Sequence, residues 1–248
     1  MNEPAIKIEH LTKDYQDVKA VDNLSLRVNK GELFGLLGPN GAGKTTTIHI
    51  LCGLLPATSG TASVCGYNVH TQKTQVKNHI GVCIQETAIY PYLTGSENID
   101  LFGNLYLMDK TTLKARRTML LTKMGLLEDA KRKTSKYSGG MKRRLSVILA
   151  LIHDPAVAFL DEPTVAMDPQ SRHAVWDLIK GLRDNGKTII LTTHSMEEAE
   201  TLCDRVGIID HGRLIALGTP KELITSHHAK SLEEVFISLT GRKIREDA

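Results

Sequence analysis

The chain has 248 residues, 41% of them hydrophobic, and a formal net charge of +3. That length can bury a full core in one large domain or two small ones, and the near-balanced charge gives no global electrostatic case for nucleic acid or an anionic membrane surface. Aromatic residues make up only 4%, with Trp176 the sole Trp, which argues against a base-stacking protein.

In chain order, strands are predicted at residues 6–8, 24–28 and 33–37, a helix at 44–55 and a strand at 80–83. From about Thr94 to His153 helical periodicity continues without a good strand, its last helix spanning 139–153. Strand 157–160, helix 169–184, strand 188–192, helix 196–203 and strand 206–209 follow. A last helix at 231–240 precedes a charged tail, RKIREDA. Several strands are continuously apolar, as expected for strands covered on both faces. Strands alternating with helices imply an α/β domain with a mainly parallel sheet, here carrying a helical insertion. The expected division is a main domain over 1–225, with a helical subdomain at about 87–154, and a C-terminal helix and tail over 226–248.

The four cysteines, Cys52, Cys65, Cys83 and Cys203, form no CxxC pair and read as reduced, buried thiols. The opening MNEPAIKIEH carries charges where a signal peptide would be apolar. The most apolar run, LSVILALI at 145–152, falls far short of the ~20 residues that span a bilayer. Any work at a membrane is expected to go through a partner.

After strand 33–37 comes GPNGAGKTT, made of Gly38, Pro39, Asn40, Gly41, Ala42, Gly43, Lys44, Thr45 and Thr46, and then a helix. This matches GxxxxGK[ST] in the strand–loop–helix context that the phosphate loop requires. The glycines let successive N–H groups point into one anion-binding concavity, and the helix N-terminus adds its positive dipole end. Lys44 is expected on the β- and γ-phosphates of a nucleotide, and the Thr45 hydroxyl on Mg²⁺.

The strand AVAFL ends in Asp161, Glu162 and Pro163. An acid at the C-terminal end of a parallel strand sits beside the phosphate loop. Asp161 suits Mg²⁺, and Glu162, pointing differently, suits acceptance of a proton from an attacking water.

The discriminating stretch is YSGGMKRRL, residues 137–145, about twenty residues before Asp161. Ser138 with the amides of Gly139 and Gly140 at a helix start forms a second phosphate-binding end. The stretch resembles the signature motif of the ATP-binding cassette family, and further landmarks of that family appear in order. The resemblance implies that Tyr15 stacks on adenine and that Gln85 touches Mg²⁺ and the attacking water. It also implies that Asp168 couples the two sites of a dimer and that His194 contacts the γ-phosphate. A lone histidine at that place would more often be structural, so the resemblance carries that assignment.

The resemblance covers about residues 6–223. It implies a P-loop nucleotidase core with a mainly parallel sheet, a small antiparallel β subdomain and a helical insertion. The implied protein hydrolyses ATP with Mg²⁺, pairs head to tail with a second cassette protomer, homo- or heteromeric, and serves membrane-spanning permease subunits at the cytoplasmic face. No nucleic-acid partner is expected; a soluble cassette ATPase acting on ribosomes or DNA is the alternative. Three departures stand out: Tyr137 where Leu is usual, Met141 where Gln is common, and Ala166–Met167 in place of Gly–Leu before Asp168. SGGMKRRL and the final LEEVFISLTGR resemble the branch that exports drugs, lipids and polysaccharides. Ala has less backbone freedom than Gly, which puts the Asp168 loop geometry in question. The basic residues Lys131, Arg132, Lys133, Lys136, Lys142, Arg143 and Arg144 read as solvated helix faces. Glu197, Glu198 and Glu200 read as the exposed face of a helix start.

Overall fold

The computed structural model describes residues 3–85 and 88–241. Strands β1 (Ile6–Tyr15) and β2 (Val18–Val28) open the chain as an antiparallel pair. β3 (Leu33–Leu37) leads into α1 (Lys44–Leu51), then β4 (Ser59–Val64) pairs with β1 and the short β5 (Tyr67–Asn68) pairs with β4. Next come α2 (Lys73–His79) and β6 (Ile80–Cys83), followed by α3 (Gly95–Leu105), α4 (Lys110–Lys123) and α5 (Gly139–Leu151). The last third holds β7 (Val157–Asp161), α6 (Pro169–Asp184), β8 (Thr188–Thr192) and α7 (Met196–Leu202). It closes with β9 (Arg205–Asp210), β10 (Arg213–Gly218), α8 (Pro220–Ser226) and α9 (Leu232–Thr240).

The main sheet has the order β10-β9-β3-β8-β7-β6 and is parallel except for β10. Every residue of β3, β7 and β8 is buried, which is why their sequences read as unbroken apolar runs. Successive side chains alternate between the sheet's two faces. Leu33, Leu37, Leu160 and Leu191 join an apolar cluster with α5 and α6. Phe34, Leu36, Phe159 and Ile190 join a second cluster with α1 and the antiparallel sheet β2-β1-β4-β5. The expected architecture is present: a mainly parallel sheet, a small antiparallel sheet and helices inserted between β6 and β7. Thr94 starts that insertion with a capping box, its hydroxyl accepting from the Glu97 amide while Glu97 accepts from the Thr94 amide.

Several boundaries differ from expectation. α1 stops at Leu51 instead of running to 55, because Gly53 turns left-handed at φ +69°. α5 ends at Leu151, two residues before the expected end. β1 and β2 are far longer than the apolar cores at 6–8 and 24–28. Mutual pairing holds even Lys13 and Asp14 extended, opposite Val21 and Lys19. The apolar side of α9, Leu232, Val235 and Phe236, is buried in the same cluster as α7. The expected tail RKIREDA lies outside the described residues, as does the expected start of the helical subdomain at residue 87.

Candidate active site

Because β3, β7, β8 and β6 run parallel, their C-terminal ends share one edge of the sheet, the edge where open α/β sheets bind ligands. The phosphate loop leaves β3 there. Gly43 is the N-cap of α1 at φ +102°, and a Cβ at that position would collide with the Ala20 carbonyl of β2. Only glycine meets both demands. The loop is tied down from outside: Gly212 donates to the Ala42 carbonyl at 3.0 Å and accepts from the Asp22 amide at 2.9 Å. No acidic side chain occupies the first turn of α1, so the helix end keeps its positive potential. Lys44 is buried and folds back over the loop, donating to the carbonyls of Gly38 at 2.6 Å and Pro39 at 3.1 Å. Burial pulls its ammonium below the usual lysine range, against the opposing pull of the Glu162 and Asp161 carboxylates.

Asp161, the last residue of β7, is buried and accepts from two threonines. Thr45 Oγ1 donates to Oδ2 at 3.2 Å, and Thr192 Oγ1, from the end of β8, donates to Oδ1. The structure therefore brings Thr45 and Asp161 together. Glu162 projects beside them, with its Oε1 3.4 Å from His194 Nδ1. The hydrogen bond with His194 is the main cause that lowers the Glu162 carboxyl below its ordinary range; its reciprocal raises His194. Glu162 stands at φ +49°, a left-handed conformation that is uncommon for a residue with a side chain and is further disfavoured before Pro163. Its amide donates to both the carbonyl and the hydroxyl of Thr192, each at 3.1 Å.

The remaining expected residues lie on the same side or at a distance. Tyr15 is exposed at the end of β1, with Lys13 Nζ 5.0 Å from its ring centre. Gln85 follows β6 by two residues and is exposed; the register Cys83 opposite Leu160 sets it level with Glu162. Ser138 caps α5, its hydroxyl accepting from the Met141 amide at 3.2 Å. Among the described residues, no hydrogen bond or ion pair joins Ser138, Gly139 or Gly140 to the phosphate loop. Asp168 caps α6, accepting from the Ser171 amide at 2.9 Å. Ala166 stands at φ +56°, the left-handed region that glycine fills most easily, so the departure from Gly is accommodated with strain.

Three charged residues expected on solvated surface, Arg143, Arg144 and Glu198, turn inward. Arg143 is 4% exposed and points inward from α5 onto main-chain carbonyls at the ends of β6 and β7. Arg144 is half-buried and donates to the Met124 carbonyl at 2.6 Å. Glu198 is fully buried, and its Oε1 accepts from Thr164 Oγ1 and from Trp176 Nε1, both at 2.8 Å. It thus pins together the segment after Glu162, the helix after Asp168 and the helix after His194. A helical-wheel signal existed for Glu198, since Glu197 and Glu200 face solvent on either side of it. Tyr137, the departure at the signature, is also buried, and its hydroxyl donates to the Asp129 carbonyl at 2.8 Å.

The family model described as ABC transporter matches residues 21–165. The chain is 43% identical to the linearmycin resistance ATP-binding protein LnrL of Bacillus subtilis, covering 94% of this chain and 75% of that protein. It is 43% identical to the Nod factor export ATP-binding protein I of Ralstonia nicotianae, covering 94% and 73%. Among solved structures it is similar to the dimeric post-hydrolysis state of the ATP-binding cassette MJ0796 bound to ADP and Pi. That likeness has a TM-score of 0.80 at 25% identity, over 86% of this chain and 98% of that one. With a phosphate loop, an adjacent acidic strand end and a capped glycine helix start in the arrangement described, the chain belongs to the ABC transporter family as one of its ATP-hydrolysing subunits.

Proposed function

We propose that this chain is the ATP-driven clamp of an exporter, working as a pair of cassettes beneath membrane-spanning partners at the cytoplasmic face. The observation that carries the pairing is the start of α5. A Cβ added at Gly139 would meet nothing within 4 Å, so no packing among the described residues requires glycine there. Glycine in a helix is otherwise unfavourable by about 1 kcal/mol relative to alanine. An open, serine-capped helix end with free amides suits the γ-phosphate of an ATP held by a second protomer. In this reading Tyr15 stacks on adenine, residues 38–46 cradle the phosphates, and Asp168 reaches across the dimer. Lys44 exchanges its loop carbonyls for phosphate oxygens. Moving His194 from Glu162 to the γ-phosphate frees the Glu162 carboxylate to take the proton of the attacking water. The oxygen donors of Thr45 and Asp161, already within 3.2 Å, fit a hard cation, and Gln85 adds a third. Bound Mg²⁺ would neutralise charge on the phosphates there.

The export direction rests on the relatives' names, linearmycin resistance and Nod factor export. No helix among the described residues is long and apolar enough to cross a membrane, so the transport path is assigned to partners. An apolar groove of about 350 Å³, lined by Leu54, Ile84, Ala88, Phe102, Tyr106 and Leu149, opens next to Gln85 between the sheet and the inserted helices. It is the surface through which a membrane partner would sense Gln85. Purification of the tagged chain from detergent extracts tests the assignment. A multi-span membrane protein should co-purify, and Leu54→Asp, at a position 59% exposed, should release it while leaving ATP turnover of the isolated chain intact. Recovery of ribosomes or DNA in its place would favour the soluble alternative.

A further inference from the structure

Arg143 is a buried cation with no carboxylate in salt-bridge range among the described residues. Among the described residues, its guanidinium donates only to main-chain oxygens. Nη1 donates to Ile84 at 2.5 Å and to Gln85 at 3.2 Å; Nη2 donates to Asp161 and, at 3.0 Å, to Glu162; Nε donates to Glu162 at 3.2 Å. Four carbonyls from two strand ends therefore converge on one side chain of α5. Those carbonyls belong to the residue pair that carries the acid chemistry and to the segment that leads into Gln85. Burying an unpaired guanidinium is costly, and the arrangement is stable because every donor that faces inward finds an oxygen.

The conformation it holds is itself unfavourable. Glu162 is left-handed before a proline, and such a residue persists only where its surroundings over-determine it. Two clamps do so: Thr192 takes the Glu162 amide, and Arg143 takes the Glu162 carbonyl twice. We propose that Arg143 is a positioning residue for hydrolysis, which holds Glu162 in its strained conformation and locks it in register with Gln85 and the signature helix α5. Only a planar fork of donors can span both strand ends; the single ammonium of lysine cannot. The inference rests on Glu162 being the base.

Arg143→Lys and Arg143→Gln in the full chain test this, with ATP affinity, thermal midpoint and single-turnover rate measured for each. The expected result is a folded protein whose ATP affinity stays within about threefold while kcat falls about 10- to 100-fold, the range that misplacement of a reacting group by about 1 Å produces. In the Glu162→Gln background the same substitutions should change residual turnover little, because the group they misplace is gone. Full turnover in folded Arg143→Lys overturns the proposal. So does an equal fold loss with and without Glu162, or failure of both variants to fold, which would make Arg143 a folding determinant only. Glu162→Gln alone separates the two claims: if it turns over normally the base assignment fails, whereas an inactive Glu162→Gln beside a fully active Arg143→Lys defeats only the inference about Arg143.

Discussion

At the scale of single residues, the site is a set of side chains held against their solution preferences. Lys44 is buried, its ammonium pulled below the usual lysine range by burial against the opposing pull of two nearby carboxylates, and fixed over the loop by two carbonyls. Replacing it with alanine removes the cation assigned to the β/γ-phosphates and loosens the loop together. Lys44→Ala should weaken ATP binding about 10- to 100-fold, the worth of one or two charge-assisted hydrogen bonds, and abolish turnover. ATP titration and phosphate release in Mg²⁺ buffer measure both, and parental turnover in the variant contradicts the role. Ala166 gives a prediction of opposite sign. Its φ of +56° strains any residue with a Cβ, so Ala166→Gly should relieve strain. Part of the gain is lost to the greater freedom of unfolded glycine. The net expectation is stabilisation of up to about 1 kcal/mol, readable in urea unfolding; a clear loss of stability would mean the turn is not strained at that residue.

At the scale of elements, the strands that build the site were legible and the ones that brace it were not. β3, β6 and β8 follow from their own apolar runs, since a strand buried on both faces needs no partner to be recognised. β4, reading SGTASV, and the two-residue β5 are short and partly exposed, and exist because β1 offers an edge some fifty residues upstream. β10 alternates half-buried with exposed residues at the sheet edge and carries no continuous signal. The same locality limit hid Arg143, whose acceptors lie 18, 19, 58 and 59 residues away. It also hid the left-handed turn at Glu162, where the local rule before proline points the other way. The motif residues were legible because their spacing is fixed by one strand–loop–helix unit or one helix start. For the α5 start, Ser138→Arg should leave ATP affinity of the isolated chain nearly unchanged while cutting hydrolysis by about 100-fold or more, as loss of a charge-stabilising donor set does. A large loss of affinity in the lone protomer would assign Ser138 to the chain's own site.

At the scale of the whole molecule, the proposed pairing gives one protomer half of each composite site. The phosphate loop, Asp161, Glu162 and His194 cluster on one sheet edge, whereas the α5 start makes no bond to that loop. In that pairing, contacts from Lys44, His194 and the opposing Ser138 end would all converge on the γ-phosphate, so hydrolysis would dismantle the clamp that ATP assembles. Glu162→Gln keeps size and hydrogen-bonding reach but cannot accept the proton, and losing a general base slows turnover about 10²- to 10⁴-fold. It also removes a negative charge near the γ-phosphate, which favours closure further. Gel filtration of Glu162→Gln with saturating ATP, beside ADP and the parent chain, tests this most directly. The account predicts a stable dimer with ATP only, monomer with ADP, and a parent chain that remains monomeric. A Glu162→Gln chain that binds ATP normally yet stays monomeric would contradict the head-to-tail pairing of this chain with itself.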